Sequence, residues 1–219
     1  MRIVEPYAEI LDLSSRPDGI NLLKKIEWVG RISHRSEGAQ TDTSWERFIK
    51  AIVLGHGDWS ITEHCSITVD AVVDRGVTHE WVRHRIGAYT QESTRFVNYQ
   101  KKREPAFICP FQGVDSPEYL EWATAIRQCE ASYQALIHSG VAPQIARSVF
   151  PNALASRLIV TYNLRNWRHF FLMRTSLEAH PQMRQVTIPL LKEFQEKIPL
   201  LYDDIVPESR QIDNMRLPR

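Results

Sequence analysis

One stretch, residues 83–95, constrains this chain most because it mixes guanidinium groups with apolar side chains. It opens with Arg83-His84-Arg85, followed after seven residues by Ser93 and, two further on, by Arg95. Arginine presents a planar fork of donors that fits phosphate oxygens, and a serine hydroxyl with loop amides can complete an anion cradle. Apolar residues interleave with these charges, namely Trp81, Val82, Ile86, Tyr89 and Phe96. The pattern therefore favours a partly buried anion site over a solvated basic turn, which is the usual meaning of a charge run.

Positive charge is concentrated in this region, since the whole chain carries a formal net charge of only +1. Residues 83–103 contain one acid, Glu92, and six basic residues. The basic residues are Arg83, Arg85, Arg95, Lys101, Lys102 and Arg103. A near-neutral chain with a local basic patch argues against broad coating of nucleic acid and predicts a small anionic ligand.

The length of 219 residues predicts a single domain over residues 1–219, with a tail beyond about residue 207 that we expect to fray. No signal-peptide-like segment opens the chain, and no apolar run approaches membrane-spanning length. Three widely spaced cysteines, Cys65, Cys109 and Cys129, are typical of reduced thiols. We therefore expect a cytoplasmic protein that binds neither membrane nor nucleic acid, and we interpret the cysteines as buried, unreactive thiols.

Hydrophobic periodicity predicts an α+β fold in which helices cover a small, mostly antiparallel sheet, with long helices in addition. Strands are predicted at residues 2–13, 65–74 and 156–162, and an extended segment at 95–99. Helices are predicted at residues 20–34, 43–54, 77–84, 116–139, 143–150 and 167–178, and from 181 onward. Pro189 should kink or split the last helix.

Local signals refine this outline. Thr43-x-x-Glu46 has the form of a capping box. The Gly55-x-Gly57 pair is not a dinucleotide-binding loop, because the third glycine is missing and the preceding run has helical periodicity. It is better interpreted as a helix stop. In the strand at 65–74, alternation puts Asp70 on the polar face of a half-buried strand.

Several polar residues have two readings that the sequence leaves open. Arg147 either snorkels beside apolar neighbours or contacts a ligand. Arg174 lies in a very apolar helix, where a guanidinium needs an ion-pair partner or an anionic ligand. Asn163 and Arg165 follow a strand end, where ligands often lie, although a turn asparagine and a surface arginine are the plainer explanation. No pair of histidines has His-x-x-x-His spacing, so no metal site is predicted.

The run Arg-His-Arg, seven residues, then Ser93-Thr94-Arg95-Phe96 resembles the signature of the flavin-dependent thymidylate synthases. The resemblance extends from about His56 to Gln182. Its further elements are residues 57–64, 80–83, 146–151 and 163–165, with Arg174 and residues 180–182.

This resemblance implies an enzyme that converts dUMP to dTMP. It implies FAD as the cofactor, and NADPH and methylenetetrahydrofolate as co-substrates. It also implies a homotetramer with its sites at subunit interfaces, and a reaction that needs no cysteine nucleophile.

Site residues follow from the resemblance position by position. The implied dUMP-binding residues are Glu80, Arg83, Gln91, Glu92, Ser93, Arg95, Arg147 and Arg174. Among them, Arg174 is the implied catalytic residue, because it would stabilise negative charge that develops on the uracil ring. The implied FAD-binding residues are Ser60, Arg83, His84, Arg85, Gln91, Asn163, Arg165 and His169.

The sequence departs from the family's pattern at five positions. One of them is Pro189, which makes the final helix unlike the smooth helix of the family. Asp58 stands where some members have histidine, and His169 stands where asparagine is common. Glu80 and Gln91 stand where some members have glutamine and glutamate, respectively. The changes at 58, 80 and 91 can retune local hydrogen bonds without removing them, whereas His169 bears directly on a flavin contact.

Two other functions compete with this enzyme. A non-enzymatic RNA-binding module would use the basic 83–103 patch and its aromatic residues, and it predicts salt-dependent RNA binding without flavin. A histidine-dependent phosphohydrolase would use His84 as its nucleophile, and it predicts phosphate release that survives removal of flavin.

Overall fold

The computed structural model describes residues 1–97, 99, 104–111 and 116–207. The basic residues Lys101, Lys102 and Arg103 and the predicted frayed tail lie outside the described residues. The described residues form an α+β fold with a small antiparallel sheet, which confirms the predicted fold class.

Strands and helices alternate irregularly along the chain. The strands are β1 (Arg2–Ile3), β2 (Tyr7–Ile10), β3 (Ser66–Asp74), β4 (Ala88–Gln91), β5 (Ala106–Phe107) and β6 (Ala155–Asn163). The α helices are α1 (Arg16–Ile32), α2 (Ser44–Phe48), α3 (Arg75–Trp81), α4 (Pro117–His138), α5 (Pro143–Ala146), α6 (Leu164–Arg174) and α7 (Pro181–Lys197). Short 3-10 helices lie at Glu37–Ala39, Trp59–His64 and Arg147–Val149, and a π-helical segment lies at Ile49–Gly55.

Four strands form one sheet in the order β2-β3-β6-β4, and β1 pairs in parallel with β5. The chain divides into two compact units. The first contains Met1–Glu9 and Val69–Val160, and the second contains Ile10–Thr68 and Thr161–Arg219. Strands β2, β3 and β6 each contribute residues to both units. The expectation of a single domain stays a prediction.

The core of the first unit is built around α4. Tyr133 on this helix is fully buried and stacks on Phe150, with ring centroids 4.5 Å apart. Residues packed with them include Tyr99, Phe107, Ile126, Ala146 and Leu154. Aromatic pairs of this kind stabilise a core beyond the area that they bury.

The core of the second unit is an aromatic cluster centred on Trp167 of α6. The indole N–H of Trp167 donates to the carbonyl of Ile67 at 2.9 Å, so its polar atom is satisfied although the residue is fully buried. The rings around it are Tyr162, Phe170, Phe171, Phe194 and Tyr202. This packing fixes α6, which carries several predicted site residues.

A buried carboxylate ties α1 to the polar loop that follows it in the second unit. Glu27 is fully buried, and its Oε1 accepts from Nε and Nη2 of Arg31 at 2.9 and 2.8 Å. The amide of Gln40 donates to Oε2 of Glu27 at 3.3 Å and to the carbonyl of Lys24 at 2.7 Å. Arg31 also lies over the ring of Phe48 at 5.4 Å.

Helix α1 begins at Arg16, four residues earlier than predicted. The carboxylate of Asp18 accepts from the backbone N–H and the hydroxyl of Ser15, both at 2.9 Å. Hydrogen bonds from Ser14 and Ser15 lower the pKa of Asp18. At Gly19 the helix approaches the end of α7, because a Cβ there would lie 1.9 Å from the carbonyl oxygen of Lys197.

Other local predictions need correction. Thr43 makes no capping hydrogen bond; instead the hydroxyl groups of Thr41 and Ser44 each accept from the other residue's N–H, at 3.2 and 2.8 Å. Helix α2 continues directly into the π-helical segment Ile49–Gly55, which ends at the first glycine of the predicted helix stop. Helix α7 runs through Pro189 without a break, so a split at this residue is excluded, whereas a kink there stays a prediction.

Candidate active site

Helix α3 delivers the Arg-His-Arg motif in the first unit. Its N-terminus is capped by the side chain of Asp74, whose Oδ1 accepts from the N–H of Val77 at 2.7 Å. The helix ends at Trp81, so Arg83, His84 and Arg85 follow in a short irregular segment. A hydrogen bond from the Tyr89 hydroxyl to the carbonyl of His84 fixes this segment against the next strand.

Ile86, directly after the motif, adopts a left-handed backbone conformation with φ of 65°. This conformation is unusual for a β-branched residue, and the side chain of Ile86 is 81% exposed. Strained residues of this kind are maintained where the surrounding structure fixes them, often at functional sites. The position thus marks the motif as a candidate binding surface.

The signature serine begins a tight turn rather than the extended segment predicted at 95–99. The carbonyl of Ser93 accepts from the N–H groups of Phe96 and Val97 at 3.2 and 3.0 Å. Thr94 is buried within the turn, and its hydroxyl accepts from Nη1 of Arg147 at 2.7 Å. Arg147 is therefore linked directly to the signature turn, 53 residues away in sequence.

The side chain of Gln91 lies against the protein interior. Its Nε2 donates to the hydroxyl oxygens of Thr78 and Ser156 at 3.0 and 3.1 Å, and both of these residues are buried. The hydroxyl of Thr78 itself donates to the carbonyl of Arg75 at 2.9 Å. Thr78 must therefore accept from position 91, which requires an amide rather than a carboxylate there.

Gln91→Glu is expected to destabilise the protein by about 1–3 kcal/mol. A carboxylate has no hydrogen to donate to the buried hydroxyl oxygen of Thr78, whose own hydrogen is already donated to the carbonyl of Arg75. Chemical unfolding in urea measures this change. The matched control is Gln128→Glu on the exposed face of α4, where we expect almost no change. Equal stability of Gln91→Glu and the wild type would contradict the assigned hydrogen bonds.

Asp70 is buried, not exposed as its place on the polar face suggested. The guanidinium of Arg157 on β6 donates to both carboxylate oxygens of Asp70, with Nε–Oδ1 at 2.9 Å and Nη2–Oδ2 at 2.5 Å. This hydrogen bonding raises the pKa of Arg157. The carbonyl of Arg157 also accepts from the N–H of Glu92 at 2.8 Å, so the pair anchors the start of the signature turn.

In the second unit, Asn163 ends β6 and is the N-cap of α6, and Arg165 lies in the first turn of α6. The side-chain oxygen of Asn163 caps the helix by accepting from the N–H of Asn166 at 2.8 Å. Arg165 pairs with Glu63 at 2.7 Å. Within the chain, Asn163 therefore acts as a turn asparagine and Arg165 as a surface arginine, which is the simpler of the two interpretations given above. Ser60 and His169 are exposed in the same unit.

Arg174 is the last residue of α6 and is partly exposed. Two residues of α7 hold this end of the helix. The hydroxyl of Thr187 donates to the carbonyl of Arg174 at 2.8 Å, and Nε of Arg184 donates to the carbonyl of Thr175 at 3.3 Å. The backbone that carries the Arg174 guanidinium is therefore fixed by buried contacts.

The sequence also matches known proteins. Residues 20–200 match the family described as thymidylate synthase complementing protein. The flavin-dependent thymidylate synthase of Pyrococcus furiosus is 32% identical over 194 residues, which cover 84% of this chain and 77% of the relative. The flavin-dependent thymidylate synthase of Mycobacteroides abscessus is 31% identical over 214 residues, 89% of this chain and 83% of the relative.

This chain belongs to the flavin-dependent thymidylate synthase family. The prediction of an enzyme of this class is thereby confirmed. A crystal structure of the UMP/dUMP methylase PolB from Streptomyces cacaoi, bound with 5-Br dUMP, has the same fold, with a TM-score of 0.73. The matched region covers 92% of this chain and 95% of the methylase chain, with 23% sequence identity. At this level of identity the match shows that the two folds are alike and nothing more.

The residues implied by the resemblance to flavin-dependent thymidylate synthases fall in both units. Those in the first unit are Glu80, Arg83, His84, Arg85, Gln91, Glu92, Ser93, Arg95 and Arg147. Those in the second unit are Ser60, Asn163, Arg165, His169 and Arg174. Within the first unit, the hydrogen bond from Arg147 to Thr94 brings Arg147 next to the segment 91–95.

The surface around the family signature fits a ligand that joins phosphate to planar rings. The side chains of Arg83, Arg85 and Arg95 are exposed, as are those of Ile86 and Phe96. Guanidinium groups suit phosphate oxygens, and exposed apolar faces suit flat aromatic groups. Both FAD and a pyrimidine nucleotide have this combination.

The described residues contain neither a cluster suited to a metal ion nor a helix suited to a membrane. Within the part of the chain that the structure describes, no three His, Cys, Asp or Glu side chains are close enough to hold a metal ion. Over the same residues, no helix has the length and apolar character needed to cross a membrane.

Proposed function

We propose that this protein is a flavin-dependent thymidylate synthase that methylates dUMP to dTMP. FAD is its cofactor, and NADPH and methylenetetrahydrofolate are its co-substrates. One observation carries the proposal. In a chain that belongs to this family, Arg147 is hydrogen-bonded to Thr94 in the signature turn at residues 93–97. The relatives' activity and the dUMP analogue bound to the methylase support the same substrate.

The phosphate of dUMP is assigned to the signature turn. A nucleotide monophosphate carries between one and two negative charges near pH 7. Ser93 offers a hydroxyl and Arg95 a planar guanidinium, and the side chain of Arg95 is exposed. Arg147 holds the turn through Thr94, so it positions the cradle and adds positive charge. Glu80, Arg83, Gln91 and Glu92 complete the assigned dUMP site.

FAD is assigned to the residues that the family resemblance implies, and bound FAD would supply the hydride for the reaction. The assigned residues are Ser60, Arg83, His84, Arg85, Gln91, Asn163, Arg165 and His169. Because the Gln91 side chain donates inward, its backbone is the part assigned to the ligands. Arg174 stabilises negative charge that develops on the uracil ring, as fixed cationic donors do in transition states.

The reaction is proposed to use no cysteine nucleophile. Burial raises the pKa of the Cys65 thiol and of the Cys109 thiol. A raised pKa lowers the fraction of thiolate, which is the nucleophilic form. The chemistry is assigned to charge stabilisation and to the cofactor, and no role is given to Cys65, to Cys109 or to the half-buried Cys129.

The protein is proposed to act as a cytoplasmic homotetramer with its sites at subunit interfaces. Leu172 and Met173, directly before Arg174, are about half exposed on α6. Exposed apolar residues next to a site residue are typical of a surface that another subunit covers. Light scattering at several protein concentrations tests the tetramer.

An absorption spectrum and a turnover assay test the proposed function. We expect purified protein to be yellow, or to become so with FAD, and to form dTMP from dUMP only when NADPH and methylenetetrahydrofolate are both present. A colourless protein that FAD cannot reconstitute would contradict the proposal. Tight, salt-dependent RNA binding without flavin would instead support the RNA-binding alternative, and flavin-independent phosphate release that is lost in His84→Ala would support the phosphohydrolase.

A further inference from the structure

We infer that Arg168 is a positioning residue that holds the 3-10 helix Trp59–His64, and with it Ser60, in place for FAD. The inference rests on the proposed function. It assigns a role to a residue that the sequence signals left unmarked, although its neighbours Arg165 and His169 are among the assigned flavin contacts.

The guanidinium of Arg168 uses both its face and its edge. Its face lies over the ring of Trp59, 4.6 Å from the centroid. Its edge donates to both carboxylate oxygens of Asp204, with Nη1–Oδ1 at 2.7 Å and Nη2–Oδ2 at 2.5 Å. Nη1 also donates to the carbonyl of Leu201 at 2.9 Å. One side chain thus connects α6, the segment at 201–204 and the first residue of the 3-10 helix.

The neighbouring anchor of the same 3-10 helix is weaker. Arg165 pairs with Glu63 near the other end of the helix, but these side chains are 53% and 44% exposed. Exposed pairs of this kind contribute little stability. Arg168 is only 17% exposed, whereas its partner Asp204 is 59% exposed. Solvent therefore screens the Asp204 pair, but it screens less the stacking of Arg168 on Trp59 and its hydrogen bond to the carbonyl of Leu201. Arg168 is therefore the stronger of the two anchors, and the position of Ser60 depends more on it.

The contact geometry requires arginine rather than lysine. A guanidinium is planar, so it can stack on an indole while its edge binds a carboxylate through two hydrogen bonds. A lysine ammonium keeps the charge but has neither the flat face nor the fork. The hydrogen bonds from Arg168 lower the pKa of Asp204, which favours the charged carboxylate that accepts them.

Arg168→Lys tests the inference in the full-length protein, stripped of flavin and titrated with FAD. We expect the Kd for FAD to rise about three- to tenfold. Lysine loses the planar stacking on Trp59 and the paired hydrogen bonds to Asp204, which only a guanidinium provides. Asp204→Asn keeps the arginine and weakens its second anchor, so a smaller rise is expected. The matched control is Arg127→Lys on the exposed face of α4, where we expect no change in the Kd for FAD.

A double-mutant cycle with Ser60→Ala separates positioning from general destabilisation. If Arg168 acts through Trp59 on Ser60, the Ser60→Ala change has a smaller effect on the Kd for FAD when Arg168→Lys is already present. Thermal unfolding of each variant shows whether it is folded at the titration temperature. Asp204→Asn decides the question if Arg168→Lys does not fold.

An unchanged Kd for FAD in folded Arg168→Lys, or strict additivity with Ser60→Ala, would overturn the positioning role while leaving the proposed function intact. A wild-type protein that does not bind FAD would overturn the proposed function, and the inference with it.

Discussion

Arg174→Ala is expected to lower kcat for dTMP formation by about a hundredfold or more. Removal of one donor that stabilises developing charge typically has an effect of this size. Arg174 is partly exposed and is the last residue of α6. Thr187 holds this end of the helix by donating to the backbone carbonyl of residue 174, a bond that does not need the arginine side chain. The variant should therefore fold normally, with an unfolding midpoint close to that of the wild type.

Steady-state kinetics distinguish this role from simple substrate binding. Loss of an interaction made only in the transition state lowers kcat and kcat/KM equally, whereas loss of uniform binding raises KM alone. Arg174→Lys is the conservative variant, and it should recover part of the activity because it keeps the charge without the planar fork. Full activity of Arg174→Ala would remove this residue from the mechanism.

Arg31→Met is expected to destabilise the protein by about 3–5 kcal/mol, because it leaves the buried carboxylate of Glu27 without its cationic partner. Urea unfolding measures the change. The double variant Glu27→Leu with Arg31→Met should recover most of this loss, since an apolar replacement of a buried pair is often neutral.

A second pair in the same unit provides the matched control. Lys50 and Glu46 have the same i,i+4 spacing and a distance of 2.6 Å, but both side chains are more than half exposed. Lys50→Met should therefore change the free energy of unfolding by less than about 1 kcal/mol. Equal effects of Arg31→Met and Lys50→Met would show that burial does not determine the strength of these pairs.

Much of the fold could be predicted from periodicity within short segments. Strands β3 and β6 and the long helix α4 lie within one or two residues of the predicted bounds. Helix α1 begins before its predicted start because its first turn depends on hydrogen bonds from Ser14 and Ser15 to Asp18. Those bonds allow the helix to begin inside a segment that reads as a turn.

The site was predictable where its residues form a local motif. The Arg-His-Arg run and Ser93 could be read directly, but the contacts that hold them could not. Asp70 and Arg157 lie 87 residues apart, and Arg168 and Asp204 lie 36 apart. Alternation along β3 placed Asp70 on the polar face, and only the opposing strand explains why it is buried. Pairs that join distant segments leave no periodic signal in a single sequence.

The close approach of α1 to α7 at Gly19 limits how the sequence can change. Any other amino acid at this position would place its β-carbon against the peptide backbone of Lys197, and a backbone oxygen cannot move aside as a flexible side chain can. Natural variation at position 19 should therefore be absent unless the C-terminal end of α7 has shifted by a compensating amount. The limit on position 19 comes from the lack of room between two helices.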